Sequence, residues 1–299
     1  MTELEQTLYR LITRKSFRKW ALPPNAAERI KTAVALCTAE NKPLNFVFEF
    51  GGYKLWRLPS APYPDLAETY MLRHYAAYLQ PIAEAYPPGA NMYFASDDCV
   101  VERMNNIKPE ALEIYAAAFR NCLKQIEPEL PDNIKMSYIR LAELYPSRKE
   151  LEDELKIAFA DNMKKFETWT PEKKDRMLKR AQLNFCPSGP LAAEDLSDIS
   201  ETELSLRLIT GAVYHDAFED CSRRREFVVG KDRILLFCTP IPEAVAIGTT
   251  KASVTKFWTG VGVLENGLEK VLSPSAWEKN KRTKHEKNHF GSFPPQSSL

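Results

Sequence analysis

The sequence predicts an α/β fold: a mostly parallel sheet flanked by helices, with helical additions. Three observations carry this. Leu44-Asn-Phe-Val-Phe-Glu-Phe50 is a short run rich in aromatic and β-branched residues, the composition of a sheet strand. Met92 to Ala95 is a second short apolar run, reached through a long helical pattern; strand, crossover helix and strand make a parallel pair. Arg233-Ile-Leu-Leu-Phe-Cys238 returns to a buried strand pattern late in the chain.

Residues 1 to 20 carry Leu4, Leu8, Leu11 and Ile12 at helical spacing, and Pro23-Pro24 ends that unit. Ala26 to Ala39 reads as a second helix, broken by Asn41-Lys-Pro43, and Gly51-Gly52 closes the first strand. Asp65 caps a helix from Leu66 to Ala85, with Glu68 at capping-box spacing, and Tyr86-Pro-Pro-Gly89 stops it. Pro109 to Leu123 is the next helix and Lys135 to Arg140 a short strand. Glu143 to Arg180 is charged and helical, broken at Thr170-Pro171, whose Pro suits a new helix start. A long loop over residues 184–198 precedes a helix from Glu201 to Glu219. Ala244 to Thr250 and Phe257 to Leu264 are further strand candidates, the latter followed by a turn at Asn266-Gly267. The expected organisation is one α/β enzyme domain over residues 1–277, with a helical cap at 1–40, a largely helical insertion at 143–220 and a loosely ordered tail at 278–299.

With 299 residues, the chain can form one large α/β domain or two small ones. Lys plus Arg number 41 against 40 Asp plus Glu, a balance that gives no support for a nucleic-acid or membrane-surface binder but leaves room for a local basic pocket. The six cysteines are scattered, with no Cys-x-x-Cys and no Cys/His cluster, so neither a zinc site nor another metal or cofactor is expected. No run is long and apolar enough for a membrane span, the N-terminus lacks a signal-peptide core, and a cytoplasmic protein is the default expectation.

Several stretches are candidates for chemistry, each with a structural alternative. Ser96-Asp97-Asp98 follows a strand directly, where ligands of open α/β sheets collect; Arg103, Asn105 and Asn106 add a cation and two amides nearby. The alternative is a turn and helix cap, with Arg103 neutralising one acid. Lys54 and Arg57 after the double glycine could receive a phosphate, or lie on an exposed turn. His215-Asp216 offers a general acid/base near neutral pH, or a structural histidine. Arg223, Arg224 and Arg225 suit phosphate or carboxylate, or pair with neighbouring acids. The connection from Thr249 to Lys256 is rich in hydroxyls and cations, with Trp258 as a flat apolar wall, or is a polar hairpin loop.

Four pieces occur in a recognisable order: Gly51-Gly-Tyr-Lys54, Pro64-Asp-Leu-Ala-Glu68, Tyr86-Pro-Pro-Gly-Ala90 and Ser96-Asp-Asp98. Together they resemble the pyoverdine/dityrosine biosynthesis family of bacterial isonitrile synthases and fungal dityrosine-forming enzymes. The order and spacing over residues 44 to 120 carry the resemblance, and the C-terminal half matches only loosely. It implies a Rossmann-like enzyme of secondary metabolism, joining an amino acid's nitrogen to the carbonyl carbon of ribulose 5-phosphate and fragmenting the adduct to an isonitrile. It further implies that Lys54, Arg57 and the arginines at 223–225 bind anions, that Asp97 or Asp98 holds an ammonium or sugar hydroxyls, and that His215 moves protons. Glu68, Arg103, Asn105, Asn106, Asp216, Lys256 and Trp258 complete the expected substrate contacts. Asp98 stands where the family has the glycine of Ser-Asp-Gly, and Glu102-Arg-Met-Asn-Asn106 also departs from its pattern, marking a distant branch. Two other readings share the fold: condensation without isonitrile formation, and a non-catalytic binding protein.

Overall fold

The computed structural model describes residues 1–18, 20–248 and 257–283. Its centre is a five-stranded parallel sheet: β1 (Leu44–Phe50), β2 (Ala90–Ser96), β3 (Ile134–Arg140), β4 (Arg233–Phe237) and the short β5 (Val245–Ala246), in spatial order β3-β2-β1-β4-β5. The strand order reverses between β1 and β4, and in such sheets ligands settle in the crevice outside the carboxyl ends at that reversal. The α/β, mostly parallel architecture read from the sequence is the one observed.

Strand alternation sorts side chains into two cores. Phe46, Phe48 and Phe50 of β1 and Met92 and Phe94 of β2 face one side, against α1 (Glu3–Ile12), α2 (Pro24–Glu40), α3 (Leu66–Ala85) and α5 (Pro109–Ile126). Each buried phenylalanine there contributes roughly 1.5–3 kcal/mol. Val47 and Ala95 face the other side with the second core, which includes Leu151 and Leu155 of α6 (Arg148–Glu167) and Ala217, Phe218 and Cys221 of α8 (Glu201–Arg224). β1 reads Leu-Asn-Phe-Val-Phe-Glu-Phe, so Glu49 shares the face of Val47 and lies on the α8 side.

Two elements were not anticipated as such. Ser96-Asp97 leads at once into α4 (Asp98–Asn105). The strand candidate at 257–264 is a 3₁₀ turn, Phe257–Thr259, followed by β6 (Val261–Glu265), which pairs antiparallel with β7 (Leu268–Leu272). The turn between them is Asn266-Gly267, both at positive φ (54° and 77°), the geometry of a tight hairpin. The break at Thr170-Pro171 begins α7 (Pro171–Gln182), and the last helix, α9 (Pro274–Thr283), continues into the stretch expected to be a loose tail. The rest of that tail and the polar connection at 249–256 lie outside the described residues. No described helix is long and apolar enough to cross a membrane.

Candidate active site

Two groups of ionisable side chains gather at the carboxyl edge of the sheet, one on each face. The first centres on Lys54. Its side chain is fully buried, and Nζ donates to both Glu68 oxygens, at 3.0 and 2.8 Å, and to the Phe257 carbonyl at 3.2 Å. Asp65 Oδ1 lies 3.2 Å from Nζ and accepts from the Gly262 amide at 3.1 Å. Asp65 and Glu68 also form the α3 capping box: Asp65 accepts from the Ala67 amide at 2.7 Å, and Glu68 from the Asp65 amide at 2.8 Å. Tyr115 of α5 donates to Glu68 at 3.1 Å. Burial pushes the Glu68 carboxyl up to about 7 while Lys54 pulls it back; contacts to both oxygens suit the ionised form. Every charge here is met, and the cluster ties the loop after β1, the start of α3 and the β6 segment together. Lys54 and Glu68 therefore hold one another away from solvent.

The second group lies on the α8 face. Glu49 comes from β1, Asp97 from the end of β2, and His215, Asp216 and Glu219 from α8, where His215 and Glu219 are four residues apart and so share a face. Two glycines set the spacing. Gly52, at φ +62°, lies so near the end of β2 that an added Cβ would fall 1.9 Å from Ser96 Oγ. At Gly211, one turn before His215, an added Cβ would stand 2.9 Å from Met104 Cα, so α4 and α8 cross with their backbones in contact. That crossing packs the α8 turn before His215 against the C-terminal end of α4.

Electrostatics separate this group from the first. Glu49 and Glu219 approach within hydrogen-bonding range, and Glu49 Oε1 is buried without a partner. Burial, then the charge of Glu219 and its hydrogen bond, then Asp97, push the Glu49 carboxyl well above the carboxylate range. Glu49 is therefore the carboxyl of the two disposed to keep its proton. Burial lowers the affinity of His215 for a proton; Glu219 and Asp216 oppose that, and Arg180 of α7 adds to it. Burial also raises Asp216. Tyr53, buried on the loop after β1, is raised by burial and by Asp97. As whole residues Glu49, His215, Asp216 and Glu219 are half-buried, while Glu49 Oε1 itself is shielded. They gather at the carboxyl edge of the sheet, with a neutral imidazole and a carboxyl disposed to stay protonated both neighbouring Glu219, a combination that can take a proton from one atom and give one to another.

The other expected residues fall elsewhere. Asp98 turns to the opposite side of its loop: Arg140 Nε approaches its Oδ2 at 2.5 Å, and Tyr138 donates to the same oxygen at 3.5 Å. Arg140 in turn grips Glu113 with two hydrogen bonds, at 2.9 and 2.6 Å. Burial lifts Asp98 to about 6 against the pull of Arg140. Arg103 pairs with Glu152 at 2.6 Å and lies over the Tyr214 ring, bracing α4, α6 and α8. Asn106, in the left-handed conformation after α4, clamps the 184–198 loop through the Cys186 and Glu194 carbonyls at 2.8 Å each; the Asn105 backbone carbonyl accepts from the Cys186 amide. Arg224 and Arg225 both pair with Glu154 of α6 at 3.0 Å, and Arg223 is exposed. At roughly 1.5 Å per helical residue, Arg224 lies about 14 Å along α8 from His215. Arg57 is exposed on the loop after β1 and donates to the Leu183 carbonyl at the end of α7, at 2.6 Å. Trp258 is buried against Gly51 and the Phe48 and Phe50 rings. Lys256 lies outside the described residues. Of the expected set, then, His215 and Asp216 share the α8 face with Glu219, and Asp97 is linked to them through Glu49.

Glu49, Glu219 and Arg180 are the residues sequence reasoning missed. The signals were a single acid inside an otherwise apolar strand and an acid four residues after the histidine. Two concavities elsewhere, 230 Å³ at the opposite strand ends beside Cys37 and Asp232, and 760 Å³ beside Asp195 and Leu206, touch none of these groups. Among the described residues no cluster of His, Cys, Asp and Glu has metal-binding geometry.

Residues 60–184 match the family model of pyoverdine/dityrosine biosynthesis proteins. The fold is similar to the crystal structure of the PvcA protein from Pseudomonas aeruginosa, with a TM-score of 0.65 over 92% of this chain and 94% of that one, at 16% identity. No curated protein matches the chain. The resemblance read in the four sequence motifs is borne out by the family match and the shared fold.

Proposed function

We propose that this biosynthetic α/β protein is an isonitrile-synthase-like enzyme, condensing the amino group of an amino acid with the carbonyl of ribulose 5-phosphate in the crevice between β1 and α8. The observation that carries the reading is the grouping of His215, held neutral, and Glu49, disposed to keep its proton, on either side of Glu219. An incoming ammonium is attracted by Asp97 and by the acids around it. His215 takes its proton and frees the nitrogen lone pair for the carbonyl carbon. The carbinolamine that forms loses its hydroxyl as water when Glu49 supplies a proton, leaving a carbon–nitrogen double bond. Burial limits water and strengthens each of these interactions. Fragmentation of this adduct to an isonitrile is the outcome that the family resemblance supports.

Asp98, where the family has glycine, points toward Arg140 and Tyr138, so the extra carboxyl is drawn away from the crevice. The family difference at this position therefore leaves the proposed proton-transfer groups in place.

The test is a product screen. Purified protein is incubated with each of the twenty amino acids and ribulose 5-phosphate, and isonitriles are scavenged with a tetrazine and read by mass spectrometry. A product carrying a sugar carbon as isonitrile supports the reading. Ribulose 5-phosphate consumed without isonitrile would replace it by condensation alone, and no consumption would sink both.

A further inference from the structure

Among the described residues the site holds more acids than cations, and the cation that biases both Glu49 and His215 comes from α7. That helix is unusual. It contributes no buried residue, although it packs along α8. Its apolar Met177 and Leu178 are only half-buried, so burial contributes little to holding it there. Its C-terminal end is tied to the loop after β1 by Arg57. Three of its cations are occupied: Lys173 lies over the Trp169 ring at 3.5 Å, Lys174 donates to the Glu167 carbonyl at 3.2 Å, and Lys179 pairs with Asp175 at 2.9 Å. Arg176 and Arg180, one turn apart on one face, have neither a hydrogen bond nor an ion pair among the described residues, and both are exposed.

We propose that α7 is the phosphate clamp of this site: Arg180 and Arg176 together bind the phosphate monoester of a phosphorylated co-substrate at the crevice mouth, with its reactive carbon directed toward His215. The inference rests on the function proposed above and adds where the phosphate goes. Planar guanidinium groups suit phosphate oxygens because each can donate two parallel hydrogen bonds. The charge layout fixes direction. A phosphate dianion is repelled by Glu49, Asp97 and Glu219 at the floor and attracted at the mouth, whereas an ammonium is drawn inward.

The experiment is calorimetric titration of the full chain with inorganic phosphate and with ribulose 5-phosphate, at low and high salt. It is run on the wild type, Arg180→Gln, the Arg176→Gln/Arg180→Gln double variant and Arg223→Gln. Since these side chains are exposed, the variants keep the fold, which circular dichroism checks. Both ligands should bind the wild type. Their dissociation constants should rise about 10-fold or more in Arg180→Gln and further in the double variant, and stay unchanged in Arg223→Gln. A wild type that binds neither ligand, or a double variant that binds both as the wild type does, would overturn the clamp. Product assays keep the two proposals apart: phosphate binding by these arginines without isonitrile formation would sink the reaction alone, and isonitrile formation by the double variant at the wild-type KM would sink the clamp alone.

Discussion

The two ionisable clusters at the carboxyl edge of the sheet make opposite use of buried charge. Around Lys54, an ammonium, two carboxylates, a tyrosine hydroxyl, a backbone carbonyl and a backbone amide match donor to acceptor, and Lys54 and Glu68 are sealed from water. Around His215, acids outnumber cations among the described residues, and one buried Glu49 oxygen has no hydrogen-bond partner among them. A buried charge whose partners are complete fixes architecture. One whose partners are incomplete is held in place by the surrounding fold and is free to act on something that enters. Both clusters contain residues that a motif search would mark as functional, and only the completeness of their partners separates them.

The largest effect that would sharpen the comparison is catalytic. His215→Gln should lower turnover by roughly 10²–10⁴-fold, the usual range for a lost general base, while the urea midpoint moves little. An equal loss of stability would assign His215 to the architecture. Next, Lys54→Met leaves Glu68 and Asp65 without their cation and should destabilise by about 3–5 kcal/mol in equilibrium unfolding. A variant as stable as the wild type would mean that the sealed cluster is not structural.

A smaller effect is a pH dependence. Asp98 is raised by burial to about 6 in the folded protein, so the folded state holds a proton that the unfolded state has released. Its contribution to stability should therefore fall as pH rises from about 4 to about 6, and Asp98→Asn should flatten the stability curve in that window. An identical curve for the variant would show that Arg140 compensates the charge fully. The smallest effect concerns the surface: Arg225→Ala breaks an exposed pair with Glu154 and should change stability by at most about 1 kcal/mol, with turnover unaltered.

Much of the fold was legible because its signals are local. The boundaries of β1 follow from Pro43 and Gly51, and those of α3 from Asp65 and Tyr86-Pro-Pro-Gly89, residues that fix backbone geometry or caps within a few positions. The site was legible only in part. Asp97 and His215 carry their chemistry in their residue type. Whether Lys54 faces solvent or Glu68 depends on a helix that begins twelve residues later, and the destination of the arginines at 224 and 225 depends on Glu154 in another helix. Glu49 was overlooked because a strand assignment treats its single acid as an exception to be tolerated. The alternation of β1 already placed it opposite the phenylalanines, and only the return of α8 across that face made it part of a crevice. The capping-box reading of Asp65 and Glu68 was right about the helix; the buried lysine between them came from tertiary packing.

Glu49 gives the most direct test. Replacing it with glutamine removes a carboxyl that burial disfavours and keeps its shape. Urea unfolding of Glu49→Gln at pH 8, where ionisation of the carboxyl is most costly to the fold, should show stability equal to or above the wild type, while the tetrazine-scavenged product falls. A Glu49→Gln protein that loses several kcal/mol, as Lys54→Met should, would place Glu49 in the architecture and contradict the account.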